Sequence, residues 1–236
     1  MAAFRAWRCF NTRVRIVFIT FADETIYSSS RLFAEIQSLN LFDKVIAYRP
    51  EMLGEAFWTR YAEHMRHKRG FGYWVWKPYI IQHQMATMND GDVLVYADSG
   101  CSTHARSRPK LCEAILRTAS SQESIMVNVT STATRAWTKA DLLSHLECLT
   151  QEWLDGPMIE AGRIVMVVTK RNREFVQQWL ELSGDLHLID DSPSGRPEDP
   201  LFVEHRHDQS IFSLLIRQRP FLRGIEKALD SSRLKK

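Results

Sequence analysis

Acid, imidazole and amine side chains gather in a few short segments of this sequence. In "DVLVYADSG" an apolar, β-branched run stops at Asp98, with the small residues Ser99 and Gly100 behind it. A carboxylate at a strand's end, followed by a tight turn, suits a hard divalent cation or a polar ligand. The same three residues are also ordinary turn formers. "HRHDQS" (205–210) sets His205, His207 and Asp208 almost side by side. Imidazole with carboxylate makes a metal-ligand set or an acid–base pair, and Asp208 is equally placed to cap the helix that follows. "TKAD" has Thr138 three residues ahead of Asp141, the spacing of a variant capping box, and "IDDSP" puts Asp190 and Asp191 in a loop. Lys77 closes the aromatic stretch "GYWVWKP", where an ammonium can neutralise a phosphate or bond a sugar hydroxyl. Trp74 and Trp76 beside it offer apolar faces to a ligand or to the core.

These groups need a frame that brings distant segments together. "RVRIVFITFA" (13–22) predicts a buried strand, and "KVIAY" (44–48), "DVLVYA" (92–97), "SIMVNVT" (124–130) and "RIVMVV" (163–168) predict four more. Helical patterns lie between them. Leu32, Phe33, Ile36 and Leu39 share one face behind a serine-rich start, and Leu53, Phe57, Tyr61 and Met65 repeat the spacing. Pro78 opens a third helix, which "NDG" (89–91) ends. Further helices are predicted over 109–119, from Thr138, over 171–182, and at the end of "EHRHDQSIFSLLIRQ". A loop rich in Asp, Ser, Pro and Gly (183–200) precedes the last. Strands alternating with helices predict one α/β sandwich domain with a largely parallel sheet, whose ligands gather beyond the carboxyl ends of its strands.

Bulk properties narrow the function classes. The 236 residues suit one domain, and an apolar share of 44% supplies an ordinary core. A net charge of +3 is too small to argue for nucleic acid. Basic residues do collect at the two ends (Arg5, Arg8, Arg13 and Arg15; Arg217, Arg219, Arg223, Lys235 and Lys236), as solvated tails or for weak contact with an anionic membrane surface. The four cysteines form no Cys-x-x-Cys pair, which argues against a zinc site or a disulfide framework. No run approaches the roughly 20 apolar residues of a membrane span, and the first residues lack a signal peptide's apolar core. A reducing, cytoplasmic location is expected.

Read together, "RGFGYWVWKPYIIQHQMATMNDGDVLVYADSGC", "TKADL", "EAG" (160–162), "HLIDDSP" and "HRHDQSIFSLL" resemble, in this order, the segments of a family of microbial and giant-virus proteins related to GT-A glycosyltransferases. The resemblance covers about residues 14–217, and its specificity lies in many blocks agreeing in order. More distantly, the layout is similar to glycogenin-like enzymes, with a basic residue before the aspartate strand, a Tyr-x-Asp motif and a late Asp-Gln pair. The resemblance implies a single-domain, Rossmann-like GT-A sandwich over 13–220, between a basic N-terminal extension (1–12) and a basic C-terminal tail (221–236). It implies a nucleotide-sugar-dependent glycosyltransferase of hexosyl type, working in polysaccharide biosynthesis on a UDP-sugar donor and a glycan acceptor. The leaving diphosphate then needs its charge neutralised by a divalent ion or by lysine and arginine.

Residue roles follow from the same resemblance. The relatives end their strand in Asp-x-Asp, and both acids serve a manganese-bound diphosphate. Here Asp98 matches the first acid, and Gly100 stands at the second. The implied ion, Mn2+ or Mg2+, falls to Asp98 with His205 or His207. Thr20, Phe21, Ala22, Tyr27, Lys77, Tyr96, Ala97, Asp98 and Gln209 are implied for the donor. Asp208 and Asp191 are candidate bases, and Trp74, Trp76, Lys139, Asp141 and Gly162 are implied for the acceptor. Two other readings fit part of the residues. One is a metal-dependent hydrolase centred on His205, His207, Asp208 and Asp98, and the other a non-catalytic glycan-binding module using exposed tryptophans. Neither accounts for all the blocks at once.

Overall fold

The computed structural model describes Phe4 and residues 14–23, 28–121 and 124–230. Tyr27, Cys9 and most of the basic ends lie outside the described residues. Six strands form the main sheet: β1 (Ile16–Phe21), β2 (Lys44–Tyr48), β3 (Val93–Ala97), β4 (Ile125–Val127), β7 (Arg163–Val167) and β8 (Leu222–Arg223). They run through the molecule in the order β2-β1-β3-β7-β4-β8. A two-stranded sheet, β5 (Val129–Ala133) with β6 (Pro157–Ile159), stands beside it. β1 pairs in parallel with β2 and β3, and β4 with β8, while β7 runs antiparallel between β3 and β4. One strand of the six is therefore reversed, and the sheet is mostly parallel as expected.

That reversal positions the site. Because β7 runs backwards, its first residue lies beside the last residue of β3, with Ala97 opposite Arg163. The next N–H, of Asp98, donates to the Gly162 carbonyl at 2.9 Å. Asp98 is thereby fixed at the carboxyl edge of the sheet, where ligands of open α/β sheets gather.

Helices cover both faces. In chain order the longer ones are α1 (Ser30–Ser38), α2 (Gly54–Arg60), α3 (Trp76–Ala86), α4 (Arg108–Ala119), α5 (Ala140–His145), α6 (Lys170–Ser183) and α7 (Asp208–Arg217). Strand alternation divides the apolar residues between two cores. Val17, Ile19, Leu94, Tyr96, Ile164 and Met166 face α3, α6 and α7. Ile16, Phe18, Val93, Val95, Val165 and Val167 face α1 and α4. Among the described residues, no helix is long and apolar enough to cross a membrane.

Several element ends depart from the sequence pattern for identifiable reasons. The predicted strand 124–130 splits at Asn128, so β4 joins the large sheet and β5 the small one. α3 starts at Trp76, two residues before Pro78, because proline without an N–H is tolerated anywhere in a helix's first turn. The capping box at Thr138 does not form. Thr138 turns to the Met158 sulfur, and the free N–H groups of Ala140 and Asp141 are taken by Glu198 and Ser194 of the following loop. That loop also contains a short helix, Leu186–Ile189, capped by Asp185.

Candidate functional site

A cleft of about 320 Å³ opens at the carboxyl ends of β1 and β3. At its floor the Lys77 ammonium lies 2.9 Å from Asp208 and 3.3 Å from Asp98, with its side chain only 4% exposed. Three segments far apart in sequence converge here: the first turn of α3, the end of β3 and the start of α7. Burial opposes charge on Lys77, but Asp208 and Asp98 outweigh it and hold the amine above its ordinary value. Burial pushes Asp208 up to about 6, against the pull of Lys77. The Tyr96 hydroxyl donates to Asp98 Oδ1 at 2.5 Å, and burial, reinforced by that carboxylate, raises the phenol well above its usual range. Tyr96 and Lys77 therefore fix one Asp98 oxygen from behind. The other, Oδ2, lies over Gly162, where an added Cβ would stand 2.6 Å away.

The cleft wall is made by the segment "RGFGYW". Gly70, Phe71, Gly72, Tyr73 and Trp74 all have positive φ, so the chain makes one left-handed helical turn before α3 begins. Each L-residue in that region costs roughly 1–2 kcal/mol. Hydrogen bonds from Tyr73 N–H to the Arg69 carbonyl and from Trp74 N–H to the Gly70 carbonyl help to offset this. Packing does the rest: a Cβ at Gly70 would come within 2.2 Å of the Trp74 ring, so only glycine leaves room for it. The turn lays Tyr73 flat on His207 (centroids 5.1 Å, interplanar 15°) and brings Trp74 against the same ring at 5.2 Å. His207 itself has φ 52 and ψ −125, an unusual backbone for a residue with a Cβ. Its Nε2 meets Asp191 at 3.0 Å, and burial lowers its pKa to about 4.

Two arginines stand at the mouth of this cleft. Arg69 reaches Asp191 and Glu204, both at 2.9 Å, and Arg206 reaches the other Glu204 oxygen at 3.1 Å. Arg206 also stacks on Trp137, 4.2 Å from the ring centre. A second cleft of about 500 Å³ lies across Asp98, Arg206 and Gln209, which line both. Its far wall is polar, with Asn128, Thr130, Ser131 and Thr132 from β5 and its approach, and with Glu160 held by Arg163.

The structure gathers some of the sequence candidates and disperses others. Phe21, Ala22, Trp74, Trp76, Lys77, Asp98, His207, Asp208 and Gln209 share the first cleft, and Gly162 lines the second. Trp74 and Trp76 thus line the same cleft as Lys77 and Asp98. Thr20 and Ala97 have no exposed surface and lie on the sheet face turned toward α1 and α4. Tyr96 stands behind Asp98. The buried Lys139 ammonium bonds the His187 and Ser192 carbonyls and Asp190, and so anchors the loop that contains them. Asp141 likewise serves that loop, bonding His187, Gly195 and Arg196. Asp191 is tied to Arg69 and His207 and lines neither cleft.

The residues present do not fit the divalent ion that the sequence resemblance implied. Both nitrogens of His205 are committed, Nδ1 accepting from the Lys139 N–H and Nε2 donating to the Leu188 carbonyl. His207 faces Asp191, and Asp98 Oδ1 already bonds Tyr96 and Lys77, which leaves Oδ2 as the one oxygen of this set. The carbonyls of Ser99, Gly100 and Cys101, natural ligands for a hard cation, accept from Arg31. Among the described residues no group of three or more His, Cys, Asp or Glu side chains is placed to hold a metal ion. A hydrolytic centre on His205 lacks support for the same reason. Trp76 offers no exposed platform for a binding module, since it is 5% exposed and stacks on Phe21 at 4.0 Å.

No family model matches the chain, and no curated protein matches its sequence. Solved structures that align with the chain include the following three. A glycosyltransferase involved in glycosylating the major capsid of PBCV-1 aligns at 12% identity over 90% of this chain and 82% of its own, with a TM-score of 0.47. Mouse xyloside xylosyltransferase 1 in its apo form aligns at 12% identity over 90% and 84%, TM-score 0.42. The galactosyltransferase LgtC, solved with donor and acceptor sugar analogues, aligns at 12% over 88% and 73%, TM-score 0.45.

Proposed function

We propose that this chain is a GT-A-type glycosyltransferase, moving a sugar from a nucleoside-diphosphate donor to a hydroxyl of a glycan. One observation carries the reading: two clefts of different character meet at a single carboxylate, Asp98. The first cleft combines aromatic rings, an anionic floor and a cationic mouth. A donor laid in it places its sugar over Asp98 and Asp208, where positive charge develops at the anomeric carbon, and its diphosphate toward Arg69 and Arg206. Preorganised groups of opposite sign at each end stabilise the separating charges without reorganisation. The second cleft, walled by hydroxyl and amide side chains, suits a polyhydroxylated acceptor. Asp98 and Gln209 lie between the two, where the bond is made.

The test is a panel of UDP- and GDP-sugars incubated with the protein, alone and with oligosaccharide acceptors. The expected result is release of one nucleoside diphosphate, accelerated by an acceptor and abolished in Asp98→Asn. If no donor in the panel is bound or cleaved, with or without acceptor, the transferase reading fails.

A further inference from the structure

Resting on that reading, we propose that the site neutralises the donor diphosphate with its own arginines, Arg69 and Arg206, in place of a divalent ion. The positions a cation needs are already filled by protein cations. Lys77 occupies the space between Asp98 and Asp208, at 3.3 and 2.9 Å. The guanidinium of Arg31 takes the carbonyls of Ser99, Gly100 and Cys101, the shortest contact being 2.7 Å. A divalent ion brought to Asp98 meets the like charge of Lys77 a few ångströms away, with only the Asp98 Oδ2 left to compensate it.

The leaving group's charge falls elsewhere, at the cleft mouth. Arg69 and Arg206 both line the donor cleft, with side chains 42% and 44% exposed. Glu204 bridges them, one oxygen to each, and Asp191 takes the remaining edge of Arg69. Half-exposed ion pairs of this kind contribute little, so a diphosphate displaces the carboxylates at small cost. Guanidinium groups present paired donors that match phosphate oxygens. The aim of Arg206 is held independently of Glu204 by its stack on Trp137, and Arg69 is rooted where the left-handed turn begins. Lys77, held by two carboxylates, acts differently and offsets the charge of Asp98 and Asp208 beneath the sugar.

Calorimetric titration of UDP and GDP into the wild-type chain, once with manganese and once with chelator, tests this. Equal affinity in the two conditions is expected. Arg69→Gln and Arg206→Gln should each weaken binding about tenfold or more, the loss of a charge-assisted contact. Arg206→Lys, which keeps charge but not the paired donors, should fall in between. Thermal melts of the variants confirm that the fold is kept, because both side chains lie at the surface. Nucleotide binding that appears only with manganese overturns the inference and leaves the transferase reading standing. Equal affinities that neither glutamine variant disturbs overturn the arginine assignment. Absence of nucleotide binding under both conditions overturns both readings.

Discussion

Lys77 is buried between two carboxylates, and its first role is electrostatic balance. Removing one partner from a buried ion pair costs about 3–5 kcal/mol, because an uncompensated charge is left behind. Lys77→Met is therefore expected to lower the unfolding free energy by several kcal/mol, and adding Asp208→Asn to restore part of it. Denaturant titrations of the single and double variants measure this, and a single variant as stable as wild type contradicts it. Gly162 offers the complementary case. A methyl group there meets only the far end of the Asp98 side chain, 2.6 Å away, so the carboxylate must swing while the fold stays. Misplacing a reacting group by about 1 Å costs on the order of a hundredfold. Gly162→Ala should thus lose transfer activity of that order with nearly unchanged stability, and full activity would remove Asp98 from the reaction. Asp98 and Lys77 were legible in the sequence because an acid at a strand's end and an amine among aromatics are unusual. Arg69 and Arg206 were not, since 31 lysines and arginines carry no mark of which two face a cleft.

At the level of elements, the alternating strands and helices could be read directly, since burial on both faces leaves continuous apolar runs. The left-handed turn at Gly70–Trp74 could not. Aromatic residues at 71, 73 and 74 carry no preference for positive φ, and only tertiary packing against His207 and Phe21 selects it. The reversed direction of β7 was equally hidden, because a buried strand reads the same in either sense. Two glycines separate the backbone cost of such a turn from its packing. Gly54 has φ +76 and open space around it, so Gly54→Ala is expected to cost about 1–2 kcal/mol, the backbone term alone. Gly70→Ala carries a similar backbone term (φ +57) and also drives a methyl group into the Trp74 ring. It should lose clearly more stability than Gly54→Ala and weaken nucleotide binding as the cleft wall shifts. Equal losses in the two variants would show that the turn adjusts freely and does not hold the wall.

Across the whole molecule, the site's groups set how stability depends on pH. Burial lowers the pKa of His207 to about 4, that of His205 well below its ordinary value, and that of His64 below it too. An unfolded chain binds protons at these imidazoles near pH 6.5, while the folded one refuses them until lower pH, so their stabilisation is lost as pH falls. For His207 alone the loss between pH 7.5 and 5.0 is about 2 kcal/mol. Asp208 acts in the opposite sense. With a folded value of about 6, above its unfolded value, it destabilises at neutral pH and returns about 1.5 kcal/mol as it protonates on the way to pH 5.0. Three histidines against one carboxyl give a net loss, with His205 and His64 adding to His207. Urea unfolding should therefore show a lower free energy at pH 5.0 than at 7.5. In Asp208→Asn the offsetting carboxyl is gone, so the fall on acidification should be steeper than in the wild type. An equal fall in that variant would mean that Asp208 ionises in the fold as easily as in water, and a shallower one that it ionises more easily, neither of which its burial beside Asp98 allows.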